Sequence, residues 1–179
     1  MPKTGFLSFI RWSAAFAYLA VLPTGCTSSQ AYFSNEHDIA SVISGEIQAA
    51  QSTIHVAIYT FTNTEIRDAL YDAAAVRGVE LSICADAGQS YTLSDQREAL
   101  RTLSTDAGAD VRVANGFLGG IMHHKFAIID EHTVLTGSYN YTRSANEIND
   151  ENLVVLSSPE LAARYELAFQ DLWSRCEEL

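Results

Sequence analysis

The segment HHKFAIIDEHTVLTGSYNYTRSANEINDEN, residues 123–152, concentrates the side chains best suited to chemistry. His123 and Lys125 are two residues apart, so on a strand both project from one face and His124 from the other. The apolar run 126–129 fixes such a strand in a core, and Asp130 closes it. Gly137, Ser138 and Asn140 follow the end of a second strand, where backbone bends and short polar groups meet a ligand. Glu151 opens a further strand. An imidazole that titrates near neutrality, an ammonium, a hydroxyl, an amide and a carboxylate gathered at strand ends suit a phosphate- or carboxylate-binding site. The ordinary alternative is a core or surface histidine beside a turn-capping serine.

The elements that must position these groups follow from periodicity. Residues 36–50 read as a helix with Ile39, Val42, Ile43 and Ile47 on its apolar face and Asn35 as N-cap. Residues 53–61 are β-branched and aromatic, hence a strand. A helix over 64–77, closed by Gly78, and a strand over 79–84 complete a βαβ unit with parallel strands and a right-handed crossover. A helix over 93–107 ends at Gly108 and leads to a strand at 110–114. A flexible turn at 116–120 precedes strands at 123–129 and 133–136, joined by a tight turn at Glu131–His132. A strand at 152–156 and a helix from Pro159 to about Trp173 finish the chain. The expected fold is one α/β domain over 36–175, a sandwich with a mixed sheet flanked by helices.

Composition bounds the function. The chain has 179 residues, 47% hydrophobic and 18% charged, as a globular domain does. Against 11 basic residues stand 22 acidic ones, for a formal charge of -11. That balance excludes a protein that grips polyanions through a generally basic surface. Positive charge must act locally.

The N-terminus sharpens the point. Lys3 and Arg11 precede an apolar run at 12–22, then Pro23, Gly25 and small residues, the order of an export signal. The run is short for a span of about 20 apolar residues unless 6–10 joins it across Arg11, which would make a retained anchor. A buried first helix is the remaining alternative. Residues 1–25 are therefore read as a signal peptide or lipoprotein signal. LPTGC resembles a lipobox, with Pro23 where leucine is preferred, and would place a diacylglyceryl anchor on Cys26 and a lipoprotein facing the periplasm. Ordinary cleavage as late as residue 31, before Tyr32, would release the chain to the periplasm or medium; this second outcome is favoured. Loss of residues 1–25 removes two bases and no acid, so the charge becomes -13 and Lys125 is the one remaining lysine. Cys84 reads as a buried thiol; an oxidising compartment also permits its pairing with Cys176, which the sequence leaves open. No CxxC pair supports a zinc site.

The pattern His123-x-Lys125-x4-Asp130-x6-Gly137-Ser138-x-Asn140 resembles the signature of the phospholipase D superfamily, with Glu151 at the downstream acidic position of its short bacterial endonucleases. The similarity covers about 36–175, including IYTFTNTEI and the turn after Asp86. It implies the phospholipase D/nuclease-like fold and phosphodiester cleavage through a phosphohistidine on His123, without metal or other cofactor. Lys125, Ser138 and Asn140 would hold the phosphate, Glu151 would orient the histidine ring, and Asp130 would organise the motif and a dimer interface. Larger members carry two motifs; this chain has one, so the resemblance implies a homodimer with a shared active site. Nucleic acid, DNA or RNA, is the favoured substrate and phospholipid the alternative; a binding protein with a vestigial site is the competing class. Arg143 has two readings: a further phosphate contact, or an ion pair with Glu147.

The processing expectation is checked by mass spectrometry of the exported protein. Ordinary cleavage gives a chain starting at Tyr32, whereas lipidation gives one starting at a mass-shifted Cys26 that stays with membranes.

Overall fold

A computed structural model describes residues 27–179, so the export segment and Cys26 lie outside the described residues. In chain order the elements are β1 (Ser28–Phe33), α1 (Ile39–Ala49), β2 (Thr53–Ile58), α2 (Thr64–Tyr71), β3 (Glu80–Asp86), α3 (Ala87–Thr92) and α4 (Ser94–Thr105). They continue with β4 (Asp110–Ala114), β5 (Lys125–Ile129), β6 (Thr133–Gly137), α5 (Arg143–Glu147), β7 (Asn152–Ser157), α6 (Pro159–Trp173) and β8 (Glu177–Glu178).

The eight strands form one mixed sheet in the order β1-β7-β6-β5-β2-β3-β4-β8. The parallel core is β2-β3-β4, as the βαβ pattern predicts, and β5, β6, β7 and β1 add antiparallel beyond β2. Alternation sorts the side chains into two cores. Ile54, Val56, Ile83 and Ala127 face α1, α2 and α4, meeting Ile43, Leu70 and Leu100. Ala57, Cys84, Phe126 and Ile128 face α6 and pack on Phe169 and Leu172. On that second face His55 Nδ1–H donates to the Glu166 carboxylate at 2.8 Å and the ring stacks on Phe169 at 4.8 Å, fixing α6 to β2. The layering is α/β/α.

Several boundaries differ from the sequence reading, each for a local reason. Asp38, not Asn35, caps α1, accepting from Ser41 N at 3.3 Å. The stretch after Ile58 leaves the strand because residues 60–63 bond instead to Tyr141. The second helix widens into a π-helical turn, Asp72–Val76, before Gly78 reverses the chain at φ +72°. Four short elements were not read from the sequence: β1, α3, α5 and β8. Helix α3 has six residues and no apolar period, and it forms because the Asp86 carboxylate accepts from Gln89 N at 2.8 Å. Strand β1 is polar and mostly exposed, and forms only by pairing with β7. The turn after β5 is centred on Asp130 and Glu131, at φ 52° and 54°, one residue earlier than read, with His132 N donating to Ile129 O at 3.0 Å. Two left-handed residues match the hairpin twist. Cys84 is buried, but not as a free thiol: it is bonded to Cys176, tying β3 to the segment after α6 across a separation of 92 residues. A link of that span disfavours the unfolded chain by roughly 4–5 kcal/mol in the chain-entropy account.

Asp130 ties the hairpin to the rest of the sheet. Its carboxylate accepts from Gln51 N at 2.8 Å, Ser52 N at 2.7 Å, Ser52 Oγ at 2.8 Å and Thr53 N at 3.0 Å. Partial burial opposes its ionisation, but the hydrogen bonds from Thr53, Gln51 and Ser52 outweigh that and hold the carboxyl below its ordinary 3.8. Because the folded value lies below the unfolded one, this stabilisation is complete above about pH 4 and is lost as pH falls through the folded value. Asp130→Asn is expected to lower the urea midpoint at neutral pH, with a deficit that shrinks in acid. Denaturant melts across that range check it; a deficit that does not change with pH would contradict the role.

Candidate active site

Strand register assembles the candidate residues at one edge of the sheet. Ile58 pairs with Lys125, Phe126 with Thr136, and Gly137 with Leu153. The end of β2, the start of β5, the end of β6 and the start of β7 therefore coincide. This edge also carries the C-terminal ends of the parallel strands, beside the place where strand order reverses, the usual crevice of an α/β sheet.

Strand β5 begins at Lys125, so His123 and His124 precede it rather than lie within it. The predicted division of faces holds nonetheless. His124 meets the Phe126 ring at 5.3 Å on the α6 side, where burial, then the charges of Lys125, Arg175 and His123, push its pKa below 6.5. His123 is exposed and shares the other side with Lys125. Lys125 Nζ donates to His123 O at 3.1 Å. Burial lowers the Lys125 pKa from its ordinary 10.5, and the Glu151 carboxylate works in the opposite direction, favouring the ammonium.

Alternation also places the groups after β6. Tyr139 and Tyr141 turn inward; Tyr139 Oη donates to Asn146 Oδ1 at 3.0 Å and Tyr141 meets Phe61 edge-on at 5.7 Å. Burial raises both phenol pKa values, keeping the rings neutral. The Tyr141 carbonyl accepts from Thr62 N and Asn63 N at 2.7 and 2.8 Å, clamping this segment to the end of β2. Asn140, between the two tyrosines, keeps a buried Oδ1 with no partner among the described residues. Gly137 is required by space: a Cβ there would lie 2.2 Å from Asn152 O.

Two expected roles change, those of Ser138 and Glu151. Ser138 Oγ donates to the Glu151 carboxylate and accepts from Asn152 N at 3.1 Å and Asn152 Nδ2 at 3.2 Å, so it is committed to bracing Glu151 rather than open to phosphate. Glu151 binds Ser138 and Asn149 Nδ2 (3.2 Å) instead of the His123 ring. Asp130 stands at the opposite end of β5, about 17 Å from Lys125 along the strand, and does not reach the site. Arg143 takes the second of its two readings, pairing with Glu147 at 2.8 Å. No three His, Cys, Asp or Glu side chains cluster as a metal site among the described residues.

Tyr59 is the residue the motif does not contain. Its ring meets His123 edge-on at 4.6 Å, and Lys125 Nζ lies 5.1 Å above its centre. Its backbone is held by Tyr59 N donating to His124 O at 2.9 Å. The aromatic at the end of a strand was the only available signal, and it reads equally as core. Behind it, buried Gln96 accepts from Phe61 N at 2.9 Å and donates to Ser90 Oγ at 2.9 Å, while buried Asp86 accepts from Met122 N at 2.9 Å. This polar layer fixes the chain on both sides of His123.

Residues 43–173 match the family described as "Cardiolipin synthase, PLD-like domain". The mitochondrial cardiolipin hydrolase of Chlamydomonas reinhardtii is 32% identical over 151 residues, 84% of this chain and 65% of that protein. The phospholipase D of Rickettsia bellii is 32% identical over 143 residues, 80% of this chain and 61% of that one. The chain thus spans somewhat less than two thirds of these curated relatives. Among solved structures, Nuc from Salmonella typhimurium, a phospholipase D family member, superposes with a TM-score of 0.79 at 31% identity, covering 86% of this chain and 98% of that one. NucT from Helicobacter pylori shares the fold, with a TM-score of 0.78 at 23% identity over 86% and 99% of the two chains.

The Tyr59 contacts generate a prediction. Tyr59→Leu should lower kcat by about tenfold and move the basic limb of the pH–rate profile to lower pH, since the ammonium loses its ring partner. Tyr59→Phe should restore both, because the ring and not the hydroxyl makes the contacts. A Leu variant with an unmoved profile would contradict this.

Proposed function

The chain belongs to the phospholipase D superfamily of phosphodiesterases, and we propose that it is an endonuclease cleaving DNA or RNA through a phosphohistidine intermediate. The observation that carries this reading is the convergence of His123, Lys125 and Asn140 at one sheet edge in a chain that overlaps Nuc over 98% of that protein's length. The sequence carries one motif, and two copies of the chain would complete one site.

An imidazole nitrogen of His123 attacks phosphorus as the bond to the leaving oxygen breaks, forming a P–N bond. His123 of the partner subunit gives its proton to the leaving oxygen, then takes one from the water that hydrolyses the P–N bond. Lys125 neutralises the non-bridging oxygens as charge builds in the transition state, and Asn140 donates to them through its Nδ2 hydrogens. Glu151, braced by Ser138, favours the charged form of Lys125 rather than steering the histidine. Asp130 contributes through folding alone.

The same geometry bears on location. Ser28 pairs with Ser157, and Ser157 with Thr133, so β1 starts at the edge where Asp130 sits, opposite to His123. Cleavage before Tyr32 would remove four of the six residues of β1, whereas processing at Cys26 leaves the strand whole. We therefore favour a periplasm-facing chain processed at Cys26. The Cys84–Cys176 disulfide suits that oxidising compartment. Ser28, the first residue of β1, stands at the edge far from the site, about 20 Å away along a six-residue strand. The names of the curated relatives, phospholipase D and cardiolipin hydrolase, favour a second reading in which the substrate is a phospholipid.

Assays with single-stranded DNA, duplex DNA, RNA and phosphatidylcholine, all in excess EDTA, discriminate the readings. Nucleic-acid cleavage is expected; choline release with no nucleolysis would establish the alternative. His123→Ala should abolish turnover and Lys125→Ala should reduce it by at least about a hundredfold, with unchanged thermal unfolding. Sedimentation of the active protein is expected to give a dimer.

A further inference from the structure

The loop ahead of His123 is unused by the chemistry above. Residues 116–121 read Gly-Phe-Leu-Gly-Gly-Ile, and Phe117 is 78% exposed, Leu118 91% and Ile121 59%. The loop is nonetheless built. Gly116 N donates to Gly120 O at 2.6 Å, and a Cβ on Gly116 would lie 2.2 Å from Ile121 O. The next residue, Met122, is pinned through its N–H to buried Asp86 at 2.9 Å. Leu118 holds a left-handed φ of 56°, unusual for a leucine. A pinched base therefore displays apolar side chains that a soluble surface would normally bury.

Cavities open on either side of Phe117. One, of about 320 Å³, is lined by Phe117, Ile121, His123, His124 and Arg175. The other, of about 360 Å³, is lined by Phe117, Tyr91, Asn115, Arg175 and Glu177. Phe117 and Arg175 border both, so the two cavities adjoin and together form a groove leading from His123 past Phe117 to Tyr91, itself 55% exposed. Arg175 is its one arginine or lysine, loosely facing Asp171 at 3.6 Å.

Resting on the nuclease reading, we propose that this groove is a subsite for single-stranded nucleic acid, in which bases flanking the scissile phosphate stack on Phe117 and Tyr91. Arg175 meets the adjoining phosphate, and Asn115 and Glu177 face base edges. Affinity for a polyanion normally comes from neutralising several phosphates, which a chain of charge -11 is poorly equipped to do. Stacking supplies affinity through the neutral faces of the bases and needs few cations. A duplex hides those faces, so the groove selects unpaired strands. Glu177 repels phosphate at the far end, which favours a base there over backbone.

The test compares a short oligothymidylate, the same backbone with abasic sites, and bis(p-nitrophenyl) phosphate. The wild-type protein should prefer the base-bearing strand to the abasic one by about tenfold or more in KM, a magnitude set by one stacked base. In Tyr91→Ala/Phe117→Ala that preference should fall toward unity, and Tyr91→Trp/Phe117→Trp should keep it. Both sites are exposed, so the fold tolerates the changes. An unchanged preference in the alanine variant, or an equal loss on all three substrates, overturns the proposal. Binding to phosphatidylcholine vesicles that the variant loses while its base preference stays assigns the loop to lipid instead, and conversion to monomer assigns it to a subunit contact. A wild-type protein that hydrolyses the small diester but no oligonucleotide defeats the nuclease reading itself, an outcome distinct from cleavage without base preference.

Discussion

The register of β5 on β2 is the constraint from which the site follows. Ile58 opposite Lys125 brings the lysine to the edge where β6 and β7 also end. Side chains alternate along a strand, so a slip of one residue would send Lys125 to the α6 face and His124 into its place. The far end of the same strand guards against that slip. Asp130 receives four hydrogen bonds from the chain entering β2, and a displaced β5 would leave them unmade. The aspartate of the motif thus acts on the chemistry from the opposite edge, by holding a strand in place.

Around that register the protein spends few charges. Acids outnumber bases two to one, and the positive groups near His123 are Lys125 and, across the groove, Arg175. Lys125 is half-buried, which weakens its hold on the proton; Glu151 and the face of Tyr59 oppose this. A negative chain that handles phosphate needs a cation held charged where it is used. A Lys125 ammonium supported on two sides meets that need better than a diffuse basic surface would.

The buried polar layer serves the same end from behind. Asp86, Ser90 and Gln96 are almost fully enclosed and satisfied by one another or by backbone groups of the segments that carry Tyr59 and Met122. Such a network is costly to disrupt because each lost partner strands another buried group. It converts two irregular connections, one after β2 and one before β5, into fixed walls on either side of His123.

Periodicity and spacing alone determined the α/β order, the parallel β2-β3 pair, the presence of the β5-β6 hairpin and the placing of His123 with Lys125 on one face. These rest on local rules: apolar side chains every two or every three to four residues, and glycines where the backbone must reverse. The roles of Ser138 and Glu151 were misplaced, because hydrogen-bond partners are set by which strand ends coincide, and that is a property of sheet order. Strand β1 and helix α3 exist only through β7 and the Asp86 cap. Cys84 and Cys176 meet because α6 returns the chain to β3, and Tyr59 reaches His123 because β2 and β5 are neighbours despite lying more than sixty residues apart. Residue types marked a phosphate- or carboxylate-binding site and the resemblance of the motif implied the chemistry; long-range packing decided which residues can take part in it.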